Sequence, residues 1–331
     1  MVLGSSIKVS ICVAQYNRAD RISESIGSLL AQDFSDFEVI VVNDGSPDNK
    51  VREELEKLKC EKLTIIHQDN TGFVGAMRKA IDNARGDYIA IHGAGDISLP
   101  NRIRTQSEFL DKNQDYSLVS CHYTDVEIDN KGEGKRKLFA LTTGDVPESD
   151  LTYKPTPIGH GEVMYRKSAY SNVGGYRHFF KFAQDKDLWL RLIKTGKFFV
   201  IPENLYERGL FKNDGIATNH EKLYLQKVLM AFAVQCYEMR EAGGKDLLDV
   251  YGIQAGLLRK PSRKVSDFCF LTSLRLYMND NLEDANTFIK RSLMENKNLK
   301  NLLLNIIIKL STVHAIKTPL IYTLKKIRQL K

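Results

Sequence analysis

Short apolar runs alternate with amphipathic stretches over about the first 90 residues of the chain. Strands are predicted at the aliphatic runs 7–13, 37–42, 63–67 and 88–92. Helices are predicted between them, near 22–30, 48–60 and 73–84. The first helix carries Ile22, Ile26 and Leu29 on one face, as a helix packed on a sheet requires. Repeated βα units of this kind predict a mostly parallel sheet flanked by helices, which is an α/β fold.

The pattern changes further along the chain. Strands are predicted near 117–123 and 162–165, and the polar stretch 129–137 between them predicts a loop, so the strand order becomes mixed. After about residue 219 the strand signals fade and long helical stretches follow. We therefore expect one α/β domain over 1–218 and a helical accessory region over 219–331.

The end of the chain is basic. Residues 291–331 contain nine lysines or arginines and a single acid, Glu295, interleaved with leucines and isoleucines. Such a pattern is typical of a helix that lies on an anionic membrane surface. It is equally typical of a helix whose apolar side packs on the protein while its lysines face water. Both interpretations stay open at the level of sequence.

Composition narrows the class of protein. The chain has 331 residues, 43% of them hydrophobic, and a net charge of +7, which suits an anionic ligand or surface but does not by itself indicate nucleic acid. Its five cysteines are widely separated and form no CxxC pair, so we expect buried thiols in a reducing compartment. We see no signal peptide and no run of about 20 apolar residues. The expected location is the cytoplasm, in solution or peripheral on the inner membrane face.

Candidate binding groups follow three of the predicted strands. Tyr16 comes after the first strand, Asp44 after the second, and Gly93 and Gly95 after the fourth. Ligands of open α/β sheets bind beyond the carboxyl ends of the strands. A ring that stacks on a base, a carboxylate that accepts from a base or ribose, and glycines near phosphates together predict a nucleotide pocket. Taken alone, the Asp-Gly-Ser segment is more often an ordinary turn and Tyr16 more often a core residue, so the evidence is their placement at successive strand ends.

Several ordered segments make this chain resemble the family-2 glycosyltransferases. They are VSICVAQYNR, EVIVVNDGSPDN, DNTGFVGAMRKAIDNARGDYIAI, GDISLPNRI, VGGYR and FAQDKDLWLRL, which together cover roughly 7–210. The resemblance implies the GT-A nucleotide-sugar-binding fold and an inverting transfer from a nucleoside-diphosphate sugar, usually with UDP or a similar base. It also implies that a divalent cation often assists.

The donor site is predicted on the loops after the strands and on the helix near 73–84. The residues we assign to it are Ala14, Tyr16, Asn17, Asp44, Ser46, Arg78, His92 and Asp96. The resemblance matches Tyr16 and Asn17 to the loop under the nucleotide, Asp44 to the carboxylate that binds the base, and Arg78 to an arginine near the donor. Arg208 is assigned to the diphosphate, with a surface ion pair as the alternative.

The acceptor side is predicted from a later part of the chain. The resemblance matches Asp185 to the catalytic base, which an inverting displacement needs to take the proton of the acceptor hydroxyl. The alternatives are a helix N-cap role for Asp185 and a catalytic role for Asp187. The residues assigned to the acceptor region are His160, Gly161, Asp187 and Trp189, although a tryptophan here is more often a core residue.

One departure from the family concerns the metal. Gly93 and Gly95 stand where the family usually has an acidic Asp-x-Asp, and only Asp96 remains. Mg²⁺ or Mn²⁺ prefers several oxygen ligands, which Asp96, the diphosphate and waters would have to provide. The other route is neutralisation without a metal by nearby cations. The cations considered are Arg78, Lys79, His92, His160 and Arg208.

Two functions are therefore carried forward. The first is an active enzyme that uses a saccharide or a lipid-linked saccharide as acceptor in glycan assembly. The second is a nucleotide-sugar-binding protein with little or no catalysis, suggested by the lost acidic pair, although Asp185 favours the enzyme. A dinucleotide oxidoreductase is disfavoured because no GxGxxG follows the first strand. Nucleic acid is not an expected partner.

Overall fold

The computed structural model describes residues 7–129, 132–153, 157–211 and 219–311. The chain divides into two compact units, 1–214 and 215–331. The boundary predicted at residue 218 falls in a segment outside the described residues, as does the end of the basic tail, 312–331.

One mixed sheet forms the centre of the first unit. Within the described residues its strands are β1 (Val9–Gln15), β2 (Phe37–Asp44), β3 (Leu63–Gln68), β4 (Tyr88–Gly93), β5 (Ile97–Ser98), β6 (Tyr116–Asp129), β7 (Gly132–Phe139), β8 (Gly144–Asp145), β9 (Met164–Arg166) and β10 (Lys197–Phe211). Their order is β3-β2-β1-β4-β9-β6-β10-β5, with β7 beside β6 and β8 beside β10. The neighbours β3, β2, β1 and β4 run parallel, and β9 is antiparallel to both β4 and β6.

Helices cover this sheet. They are α1 (Ile22–Leu30), α2 (Asn49–Lys57), α3 (Gly72–Asp82), α4 (Arg102–Lys112), α5 (Glu148–Tyr153), α6 (Lys167–Asn172) and α7 (Gln184–Leu192). Ile22, Ile26 and Leu29 of α1 are buried in the same core as alternate residues of β1 and β2. Every residue of β2 is buried, as expected of a central strand covered on both faces. The predicted fold class, a mixed and mostly parallel sheet flanked by helices, is confirmed.

The polar stretch 129–137 is not the loop predicted from its composition. Much of it belongs to β7, which pairs antiparallel with the second half of β6. The long strand β10 was not predicted at all, although it pairs with β6 along most of its length. Both regions depend on a partner strand distant in sequence rather than on their own apolar pattern.

The second unit is helical over its described residues. Its helices are α8 (His220–Glu241), α9 (Leu247–Tyr251), α10 (Arg263–Met278), α11 (Leu282–Glu295) and α12 (Leu299–Leu310), with a 3₁₀ segment at Gly252–Leu258. Asn219, Ser262, Asn281 and Asn298 cap four of these helices through their side chains. Phe288 and Ile289 of α11 pack with Leu304 of α12 in its core. None of the described helices is long and apolar enough to cross a membrane.

Candidate active site

The loops after β1 and β2 meet at the carboxyl edge of the sheet. Ala14 of β1 lies between Val42 of β2 and Gly93 of β4 in the sheet register. The backbone N–H of Asn17 donates to Ser46 Oγ at 2.9 Å and joins the two loops. The ring of Tyr16 is 47% exposed, so its face is accessible to a base. These predicted donor residues therefore lie together.

Asp44 ends β2 with a carboxylate that is oriented by the next loop. Asp44 Oδ1 accepts from Gln68 Nε2 at 2.8 Å and from the backbone N–H and hydroxyl of Thr71 at 2.9 and 3.1 Å. Among the described residues no donor reaches Oδ2. The side chain is 3% exposed, so three bonds fix one oxygen while the other can accept from a ligand.

Helix α3 connects the Asp44 loop with residues predicted for the acceptor region. It begins at Gly72, directly after Thr71, and its Arg78 donates from Nη1 to the carbonyl of Tyr176 at 2.5 Å. Phe73 of the same helix packs edge-on against His160 with ring centroids 5.2 Å apart. The imidazole Nε2 of His160 lies 2.7 Å from the Tyr176 hydroxyl. One helix thus contacts groups on both sides of the proposed cleft.

Asp185 lies at the start of α7. The helix begins at Gln184 after Ala183, whose φ is 59°, so Asp185 is the second helical residue and not the N-cap. The Oδ1 atom of Asp185 accepts the backbone N–H of Lys186 at 2.7 Å, and its side chain is half-buried. Burial lowers the pKa of His160, against the opposing effect of the Asp185 charge. These two residues are therefore electrostatic neighbours, and burial disfavours the charged form of the imidazole.

Asp187 and Trp189 do not line an open acceptor site, which corrects their assignment. Asp187 is 2% exposed and accepts from Arg177 Nε at 3.0 Å and from Arg191 Nη2 at 2.6 Å. Trp189 is fully buried, with its ring 5.8 Å from that of His160. Helix α7 turns its later residues inward, so Asp187 pairs with Arg177 and Arg191, and Trp189 belongs to the core.

His92 also requires a correction. It is 1% exposed, and its Nε2 atom lies 3.0 Å from Ser25 Oγ and 3.1 Å from the carbonyl of Asp96. Burial, and then the charge of Arg102, lower its pKa to about 3. A buried imidazole whose pKa is lowered in this way does not supply positive charge to a diphosphate.

Asp96 does not fit the role of a metal ligand. Its Oδ2 atom accepts from the Tyr206 hydroxyl at 2.6 Å and its Oδ1 from the backbone N–H of Gly209 at 2.9 Å. The side chain is 7% exposed, and burial raises its pKa. The described residues contain no group of three His, Cys, Asp or Glu side chains arranged to hold a metal ion. Asp96 is nearly buried, with its oxygens turned toward the Tyr206 hydroxyl and the Gly209 N–H, so it does not present the several open oxygen ligands that Mg²⁺ or Mn²⁺ prefers, and we assign no step to a metal here.

Arg208 and Gly161 serve packing rather than an open site. Arg208 lies within β10 and donates to both carboxylate oxygens of Asp125, at 2.7 and 2.9 Å. The ion pair considered from the sequence is therefore the arrangement present. A Cβ at Gly161 would collide with the ring of Tyr206, so this glycine allows a close contact with a core side chain.

Arg18 is a residue that the sequence analysis missed. Its Nη1 atom donates to the carbonyl of Ala94 at 2.5 Å, and its guanidinium lies over the ring of Phe211, 4.1 Å from the centroid. This brings a positive charge beside Gly95, at the position of the lost acidic pair. In the sequence, the position of Arg18 directly after Tyr16 and Asn17 could have indicated a role at this site. Its contact with Phe211 could not be foreseen, because the two residues are nearly 200 positions apart and share no local pattern.

Comparisons with known proteins agree on one family. The model of "Glycosyl transferase family 2" matches residues 10–174. The putative glycosyltransferase EpsE of Bacillus subtilis is 30% identical over 62% of this chain and 74% of its own length. An uncharacterized glycosyltransferase of Methanocaldococcus jannaschii is 30% identical over 65% of this chain and 76% of its own. One from Rickettsia felis is 29% identical, and the match spans 31% of its length.

Solved structures with the same fold include Staphylococcus aureus TarS. The structure of its residues 1–349 in complex with UDP-GlcNAc matches with a TM-score of 0.60 at 17% identity, over 93% of this chain and 92% of that one. A second, in complex with UDP, has a TM-score of 0.57 at 16% identity, with the same two coverages. At this identity the likeness concerns the fold alone.

Proposed function

Because the chain belongs to glycosyl transferase family 2, we propose that it transfers a sugar with inversion from a UDP-sugar bound along the loops after β1 and β2. The main support for the proposal is that α3 contacts both Asp44, at its start, and the loop that precedes Asp185. Thr71, just before this helix, holds the Asp44 carboxylate, and Arg78 within it holds the loop that carries Tyr176. A donor at Asp44 and a base at Asp185 would then act within one cleft.

The proposed reaction is a single displacement. The acceptor hydroxyl attacks the anomeric carbon, Asp185 takes its proton, and the bond to the nucleoside diphosphate breaks with its electron pair on the leaving oxygen. Asp185 Oδ1 is occupied by the N–H of Lys186, and no donor among the described residues reaches Oδ2. Burial of His160 beside this base disfavours a charged imidazole at this place.

The donor nucleotide is proposed to be uridine diphosphate. Tyr16 and the Oδ2 atom of Asp44 supply a stacking face and an acceptor for a base N–H. The TarS structures that share the fold were solved with UDP and UDP-GlcNAc, which supports the choice without fixing the sugar.

Nucleotide titrations test the donor. Calorimetry with UDP, GDP, dTDP and CMP would compare the wild type with Asp44→Asn and with the exposed control Asp69→Asn. We expect selective UDP binding that falls at least about tenfold in Asp44→Asn, since one charge-assisted bond is lost, and is kept in Asp69→Asn. Absence of binding by all four nucleotides would refute the proposal.

Turnover tests the base. Asp185→Asn should keep UDP affinity within about twofold, while sugar transfer or donor hydrolysis falls by about 100-fold or more, because general base catalysis contributes about that factor. The alternative of a binding protein without catalysis, suggested by the glycines at 93 and 95, predicts UDP binding with no turnover in the wild type. Undiminished turnover in Asp185→Asn would assign the base elsewhere.

The acceptor is proposed to be a saccharide, or a lipid-linked saccharide of surface polysaccharide assembly, met at the cytoplasmic membrane face. Helix α12 buries Leu304 and Ile308 within its unit. Its opposite side leaves five apolar residues 44–72% exposed, at helical spacing: Leu299, Leu302, Leu303, Ile306 and Leu310. Lys300 and Lys309 accompany this stripe. An exposed apolar stripe with basic neighbours favours binding to an anionic bilayer.

Vesicle binding tests the membrane role. The full chain should sediment with phosphatidylglycerol vesicles and much less with phosphatidylcholine vesicles. The double change Leu302→Gln with Ile306→Gln should weaken binding by at least about tenfold, because this factor corresponds to the loss of only about 55 Å² of apolar contact at about 25 cal/mol per Å². The control is Leu271→Gln, an equally exposed leucine on α10. Equal sedimentation of all three proteins would exclude α12 as the contact.

A further inference from the structure

The place left by the lost acidic pair is filled by the protein itself. Gly95 has a φ of +85°, and a Cβ there would lie 2.8 Å from the ring of Phe211 and 3.5 Å from Cδ of Arg18. At Gly93 a Cβ would collide with the carboxylate of Asp96, which turns toward Tyr206. The guanidinium of Arg18 therefore lies at this loop, bonded to the carbonyl of Ala94 and stacked on Phe211.

Arg18 is held in this place by contacts on two sides. The ring of Phe211 covers one face of the guanidinium at 4.1 Å, and the carbonyl of Ala94 accepts from Nη1 at 2.5 Å. An arginine on an aromatic ring keeps its charge and loses little freedom on binding an anion, because its orientation is already set. Ala94 is the residue between the two glycines, so the charge is fixed to the loop after β4.

The backbone is strained at the same point. Asn17 and Arg18 have φ values of 56° and 59°, in the left-handed region that residues other than glycine rarely adopt. Bonds from Gln15 Nε2 to the carbonyl of Asn17, at 2.6 Å, and from the N–H of Asn17 to Ser46 Oγ hold this shape. Strain maintained by such bonds is typical of functional loops. Its effect here is to aim the side chain of Arg18 from the β1 loop across to the β4 loop.

We infer that Arg18 binds the diphosphate of the donor in the place that a divalent cation would otherwise take, so that donor binding requires no metal. This inference rests on the proposed function, because Tyr16 and Asp44 would place a nucleoside beside this arginine. A guanidinium donates two parallel bonds to phosphate oxygens and stabilises the negative charge that develops when the diphosphate leaves. Asp96 keeps its bonds to Tyr206 and Gly209 throughout.

The test separates the diphosphate from the nucleoside. UDP and uridine are titrated by calorimetry into the full-length wild type, Arg18→Gln and Arg18→Lys, each in excess EDTA and again with Mn²⁺. Arg52→Gln is the control, because Arg52 is an exposed arginine of α2 in the same unit and its change alters the net charge equally. Unfolding followed by the fluorescence of Trp189, the single tryptophan, confirms that each variant is folded.

We expect the wild type to bind UDP in EDTA, with less than about a twofold gain from Mn²⁺. Arg18→Gln should lose roughly 10- to 100-fold in UDP affinity and less than about twofold in uridine affinity, since only the charge-assisted bonds to phosphate are removed. The UDP affinity of Arg18→Lys should lie between those of the wild type and Arg18→Gln, because an ammonium keeps the positive charge but cannot donate two parallel bonds to phosphate.

Other outcomes overturn the inference. Unchanged UDP affinity in Arg18→Gln, equal losses for UDP and uridine, or wild-type UDP binding that requires Mn²⁺ would each contradict it. In all three cases the wild type still binds UDP, so the proposed donor stands. A wild type that binds neither UDP nor uridine would instead refute the proposed function.

Discussion

Lowering the pH is expected to destabilise the first unit through one buried side chain, His92. Its Nδ1 atom is buried and has no hydrogen-bond partner among the described residues, while Nε2 lies near Ser25 Oγ and the carbonyl of Asp96. Burial and the charge of Arg102 lower its pKa to about 3, which means that protonation is strongly disfavoured in the folded state. In the unfolded chain the same imidazole titrates near its ordinary value of about 6.5.

The sign and size of the effect follow from these two values. Between pH 6.5 and 3 the unfolded state binds a proton that the folded state does not, so the free energy of unfolding falls as the pH falls. The slope approaches about 1.4 kcal/mol per pH unit. From pH 7 to pH 4.5, His92 alone should therefore remove about 2.5 kcal/mol of stability, a large part of the 5–15 kcal/mol typical of a domain.

Urea titrations between pH 4.5 and 7.5 measure this loss. Trp189 is fully buried in the first unit and is the single tryptophan, so its fluorescence reports on that unit. The wild type is compared with His92→Gln, which cannot titrate, and with the matched control His178→Gln at an exposed position. The difference in unfolding free energy between wild type and His92→Gln should change by about 2.5 kcal/mol over this range. Parallel curves for these two proteins would refute the reasoning.

Three further changes test packing and buried charge. Asp187→Asn leaves two arginines beside a neutral amide and should cost about 3–5 kcal/mol by the same urea assay; a loss below about 1 kcal/mol would contradict its structural role. Gly86→Ala places a Cβ 2.6 Å from a backbone nitrogen of β1 and should cost about 1–3 kcal/mol, whereas Gly27→Ala, with no atom within 4 Å, should not destabilise. Glu295→Gln weakens the bonds from Arg259 and should lower hydrogen-exchange protection of α10 and α11 by about 1–3 kcal/mol; unchanged protection would argue against it.

The first half of the sheet could be predicted because its pattern is local. Strands β1, β2 and β4 are buried on both faces, and together with the less buried β3 they alternate with amphipathic helices. Each of these strands can therefore be recognised from a window of about ten residues. The stretch 129–137 is polar and flanks an exposed strand, β7, whose pairing with β6 its composition does not reveal. Strand β10 likewise depends on β6, about 80 residues earlier in the chain.

The residues of the candidate site also differ in how far local sequence could predict them. Tyr16 and Asp44 could be placed because a position at a strand end determines the edge of the sheet on which a residue lies. Position at a strand end does not determine the direction in which a side chain points. Since β4 is buried on both faces, alternation does not show that His92 turns away from the cleft. Pairing of Asp96 with Tyr206 spans 110 residues and leaves no local pattern.

Gly93 and Gly95 also limit how an acidic pair could be introduced at this loop. An aspartate at position 95 alone meets the Phe211 ring and an unfavourable backbone angle, and one at position 93 alone meets the Asp96 carboxylate. Restoring the acidic pair would therefore require the Phe211 ring and the Asp96 carboxylate to move as well, so substitutions at these four positions should not act additively on stability.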